Sequence, residues 1–268
     1  MHALRILALL AALAGSVWLG WEFVARAIGP DAESQAIESD ARASKIRNAG
    51  RAAIEERIKL APEHADFYAL LRRDFPQDLT RVLNVFADRA AGASKLDTPD
   101  AYLAEALRTM RRTHGVNAAR ASLARLDRVF EAQGKIMGAL SDADPGLCVD
   151  FLYGNASQAF FDFSARQRAL VAYMAVAGVE AMIDGRAASE DRPPPTDSDF
   201  LVLERALQER GLSRAEIDAL LDGKTPETPS PDIALCRAGG IYVQTLRTLP
   251  DAVRLRIYAL AVELLARS

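Results

Sequence analysis

The feature that most constrains this chain is the spacing of its apolar residues, which from position 62 onward recur at helical intervals in segments divided by Pro and Gly. The stretch 63–73 carries Phe67, Leu70 and Leu71 at i, i+3, i+4. Pro76 stands as a first helical residue ahead of Leu79, Val82, Leu83 and Phe86, and Thr98-Pro99 reads as N-cap and first residue before Leu103, Leu107 and Met110. Each pattern gathers apolar side chains on one face of a 3.6-residue helix, and that face needs another to cover it. Strand signals are missing: no alternating run of β-branched residues lasts more than a few positions, and no Asn-Gly or Asp-Gly turn joins two of them. The expected fold is all-α, with an N-terminal membrane anchor or signal helix followed by a multi-helix bundle.

Further along, 116–140 continues the pattern to an Asp144-Pro145-Gly146 turn, and Gly115 is expected to close the helix before it. The eleven residues 169–179 carry no charge, too few to span a bilayer, so they predict a central helix buried all round, with Ser164 and Gln167 as its capping box. Thr196 with Asp199 and Ser213 with Glu216 mark two more helix starts, and Asp184-Gly185 and Asp222-Gly223 read as helix C-caps. Residues 223–231 predict an exposed loop, and two helices finish the chain.

The N-terminus is of another kind. Positions 6–21 hold sixteen uncharged residues, extended to 25 if Glu22 is tolerated. Roughly 20 apolar residues cross a hydrocarbon core. Trp18 and Trp21 suit the outer interface, and Arg5 with the amino group favours an inside N-terminus. The expectation is a retained signal-anchor over 1–29, with cleavage at Ala25-Arg26-Ala27 as the alternative. Residues 30–61, rich in Ala, Ser, Glu and Arg with isolated Ile37, Ile46, Ile54 and Ile58, predict a polar helical stalk. Residues 62–268 form the extracytoplasmic domain, with a potential division near 141–147. The placement is inner membrane, single-pass, body periplasmic. Cys148 and Cys236 are the only cysteines, and in an exported domain they predict a disulfide.

The search for chemistry yields mainly negatives. Gly223-Lys224-Thr225 lacks the earlier glycine of a phosphate loop, Asp218 standing in its place, and neither a G-x-S-x-G elbow nor an S-x-x-K pair occurs. Histidines at 2, 64 and 114 cannot form H-E-x-x-H; structural roles are expected for His64 at a helix start and His114 at a helix end. No metal and no cofactor is expected. Glu180, ending the apolar run, is the one carboxylate a hydrolase reading would use, although solvation at a helix end is its expected fate.

Two regions point to interaction instead. Between Glu105 and Arg128, six arginines (Arg108, Arg111, Arg112, Arg120, Arg125, Arg128) face two acids, a surplus of four positive charges in a chain whose net charge is -3. The near-neutral total argues against a general nucleic-acid binder. Phe151, Tyr153, Phe160, Phe161 and Phe163 crowd thirteen residues and suit either core packing or an apolar groove. The leading functional expectation is a membrane-anchored cell-envelope protein, held by residues 6–25, that binds or scaffolds another protein. A helical lipid or small-ligand carrier and a glycan-acting hydrolase are the alternatives.

Overall fold

A computed structural model describes residues 30–90, 96–152, 157–188, 192–222 and 231–267, with the backbone alone for 30–40. The predicted anchor over 6–25 and the Gly223-Lys224-Thr225 stretch lie outside these residues. Among the described residues there are twelve α-helices, one 3-10 turn and no strand. They are α1 (Pro30–Ile58), the 3-10 turn (Pro62–His64), α2 (Ala65–Asp74), α3 (Pro76–Ala90), α4 (Pro99–Ala118), α5 (Leu123–Ala143) and α6 (Pro145–Leu152). Then follow α7 (Gln158–Arg166), α8 (Arg168–Ala187), α9 (Asp197–Glu209), α10 (Arg214–Asp222), α11 (Asp232–Leu246) and α12 (Asp251–Arg267). None of them is long and apolar enough to cross a membrane.

Helix α8 is the axis. It packs against α2, the 3-10 turn, α4, α5 and α7, and no residue from 170 to 185 is exposed. Its uncharged run explains this, because a helix with no polar face must be surrounded. Outward from α8, α4 carries α12, and α5 carries α6 and α11. The aromatic rings of Phe130 in α5 and Tyr258 in α12 stack with centroids 3.8 Å apart. Among the described residues one apolar core cluster runs from Ile54 to Val262. Cys148 and Cys236 are bonded, tying α6 to α11 with Cα atoms 5.6 Å apart.

Helix starts follow their caps. Thr98 Oγ1 accepts from Ala101 N at 3.2 Å, Thr196 and Asp199 form a reciprocal box, and Glu216 accepts from Ser213 N at 2.8 Å. Four local readings need correction. Ser164 caps nothing: it lies buried inside α7, where its hydroxyl donates to the Phe160 carbonyl, and the cap of α7 is Ser157. Gly115 does not end α4, which runs on to Ala118; a Cβ at Gly115 would come within 2.8 Å of Ala266 Cβ, so the glycine admits α12. Gly185 is likewise inside α8, where a Cβ would run into the Asn117 carbonyl oxygen. The predicted stalk is partly core. In α1, residues 41–49 are exposed, but Gly50 packs on Ala87, Ile54 is fully buried and Arg47 pairs with Asp88 at 3.1 Å.

Candidate functional site

The C-terminal turn of α4, residues 192–195 and one face of α12 enclose a groove of about 450 Å³. Its floor is apolar, from Val116 of α4, Ala119 just beyond that helix, and Ala259 and Leu260 of α12, and Pro193, Pro194 and Pro195 form a wall. Among the described residues four arginines line it, Arg120, Arg192, Arg256 and Arg267, with the single acid Glu263. On α12 the groove positions 256, 260, 263 and 267 recur at helical spacing and therefore share a face.

Each guanidinium is held by a different device. Arg192 donates to the backbone carbonyls of Arg120 and Ala121, at 2.9 Å to the former, so the proline segment is fastened just beyond the negative end of α4. Arg256 makes a two-pronged pair with buried Asp199, at 2.6 and 2.9 Å. Those bonds and the Thr196 donors hold the Asp199 carboxyl well below the usual carboxylate range. Arg267 pairs with Glu263 at 2.6 Å, and Arg120 donates to Asn117 at 2.8 Å. Among the described residues, four guanidiniums line the groove beside Glu263, with Asp199 behind Arg256. Such a groove can bind anions but is ill-suited to proton transfer, since guanidiniums stay charged at any ordinary pH.

Of the arginines singled out in the sequence, only Arg120 lines this groove. Arg108 pairs with Glu105 at 2.7 Å, Arg112 is exposed and Arg111 half-buried on α4. Arg125 and Arg128 both donate to Glu180, at 2.9 and 2.5 Å, which corrects the helix-end reading: Glu180 lies within α8 and is an ion-pair acceptor. Sequence reasoning missed Arg192, Arg256 and Arg267, although the spacing of the last two on α12 is a signal of a shared face.

The aromatic segment forms a ladder. Phe151 of α6 stacks on Phe160 of α7 at 5.9 Å between centroids, and Phe160 on buried Phe163 at 6.2 Å. Phe161 is half-buried, and Tyr153 lies outside the described residues. Phe151, Phe160, Phe161 and Phe163 line neither the basic groove nor a second groove of about 470 Å³ between α5 and α11, where Gly134, Gly138 and Gly240 border Met137 and Ile241. Each of the two described histidines lies beside an aspartate. His114 lies 2.9 Å from Asp78 and against the Phe75 ring, four residues before α4 ends. His64 is buried beside Asp100. Among the described residues no three His, Cys, Asp or Glu side chains are grouped to hold a metal ion. No protein-family model, curated protein or solved structure matches the chain.

Proposed function

We propose that this is a membrane-tethered cell-envelope protein whose helical domain binds another protein, taking an acidic segment of that partner into the groove between α4 and α12. The observation that carries the reading is the convergence of arginines from three separate stretches of chain over an apolar floor. A guanidinium meets a carboxylate in a planar, two-bond geometry, and the floor accommodates an apolar side chain of the same segment. Charge complementarity of this kind chooses a partner and speeds encounter. The tether at 6–25, with the N-terminus inside and the domain in the periplasm, is supported by the uncharged run and by a disulfide that suits an oxidising compartment.

Cross-linking in intact membranes, followed by purification of the full chain, tests this. The wild type should capture a discrete protein partner that an Arg120→Glu/Arg267→Glu variant loses. Capture of the same partner by the variant, or recovery of phospholipid alone with the wild type, overturns the proposal.

A further inference from the structure

His64 closes the 3-10 turn that links α1 to α2, its N–H donating to the Ala61 carbonyl at 3.0 Å. Its ring is 1 % exposed, and neither Nδ1 nor Nε2 has a hydrogen-bond partner. The nearest carboxylate oxygen, Asp100 Oδ1 at the start of α4, lies 3.6 Å from Nε2, beyond hydrogen-bond reach. That carboxylate is engaged by Arg168 at the start of α8, with both bonds at 2.9 Å. One helical turn past His64, the Tyr68 hydroxyl is also buried without a partner. A buried imidazole with two idle nitrogens is an uncommon arrangement, and an imidazolium there would carry two unsatisfied N–H donors.

We infer that this junction of the 3-10 turn, α2, α4 and α8 is an acid-sensitive latch: His64 takes up a proton only when the turn and α2 come away from the ends of α4 and α8. The groups acting on the ring are Asp100 of α4, Arg168 of α8 and its neighbour Glu63, while Tyr68 of α2 faces Asp100 and Tyr102. The carboxylates favour the imidazolium, but burial, foremost, and the Arg168 cation oppose it, so His64 is held below its ordinary value of 6.5. A proton held by the open form and refused by the closed one sets the sign. Above 6.5 the opening constant is at its lowest and does not change with pH, and each pH unit below that raises it about tenfold until the closed form is itself protonated.

Amide exchange of the full chain between pH 7.5 and 5, corrected for intrinsic exchange chemistry, reads the latch directly. Protection of α2 should fall about tenfold per pH unit below 6.5 in the wild type, should stay flat in His64→Phe, and should be unchanged in α10 of both proteins. Equal slopes in wild type and variant, or equal loss in α10, overturn the inference. If His64→Phe fails to fold, the imidazole carbon resonances of the wild type decide. No titration of the closed form near 6.5 supports the latch, and an ordinary folded-state titration there refutes it.

Discussion

Asp199 offers the sharpest test of how the bundle is held. It is 2 % exposed and accepts four bonds, two from Arg256 at 2.6 and 2.9 Å, one from Thr196 N at 2.8 Å and one from Thr196 Oγ1 at 2.9 Å. One carboxylate thus caps α9 and anchors a guanidinium of α12. Asp199→Asn keeps an acceptor for the cap but puts an amide where the charge was. Removing one partner of a buried pair costs about 3–5 kcal/mol, and a cap adds about 1. The Arg256 side chain is 27 % exposed and keeps part of its hydration, so the Asn variant should lose about 3 kcal/mol and Asp199→Ala about 4. In a domain of this size, 3 kcal/mol lowers the melting temperature by about 6–12 °C. Urea unfolding of wild type, Asp199→Asn, Arg256→Met and the double variant measures the coupling as a double-mutant cycle. The pH dependence has a definite sign. Because the carboxyl lies far below its ordinary value of 3.8 in the folded chain, its contribution is complete above that value and declines as pH falls beneath it. The gap between wild type and Asp199→Asn must therefore narrow below pH 3.8. A loss smaller than about 1 kcal/mol, or a gap constant with pH, would refute the reasoning.

Two further perturbations address packing and the cross-link. In α8, Gly185→Ala drives a Cβ into the backbone of Asn117 and Ala121 and should cost about 3 kcal/mol or more, whereas Gly178→Ala, with nothing within 4 Å, should stabilise by about 0.5–1 kcal/mol; paired urea titrations compare them. Replacing Cys148 and Cys236 together by Ser opens a bond between residues 88 apart and should lower stability by up to about 4–5 kcal/mol, read from the urea midpoint without reductant.

Much of the architecture was legible because it depends on local chemistry. Thr98-Pro99, Thr196 with Asp199 and Ser213 with Glu216 start helices as their side chains require, and the uncharged run at 169–179 lies within the surrounded helix. The failures share a cause. Gly115 and Gly185 look like stops to a reader of one helix, yet both serve a neighbour: Ala266 of α12 approaches the first, and the carbonyl of Asn117 approaches the second. Gly-specific backbone geometry and close approach of another chain segment leave the same letter in the sequence. Ser164 errs in the same direction, since a hydroxyl three residues before Gln167 satisfies the pattern of a cap while in fact bonding back to Phe160 within its own helix.

The charge pattern makes the same point for the candidate site. Counting along the chain singles out 105–128, but five of its six arginines lie outside the groove: Arg108 is drawn to Glu105, Arg125 and Arg128 to Glu180, Arg112 is exposed and Arg111 is half-buried on α4. The groove instead gathers Arg120 with Arg192, Arg256 and Arg267, residues up to 147 positions apart in the sequence. What brings them together is apolar packing of α12 on α4, made close by Gly115, and the capture of Arg192 by the carbonyls at the end of α4. The arginine cluster of the groove is thus a product of the fold, and its presentation depends on pairs such as Asp199 with Arg256 that lie behind it. Neutralising Asp199 therefore acts on the groove in two opposed ways, raising its positive charge by one while loosening the guanidinium that presents it.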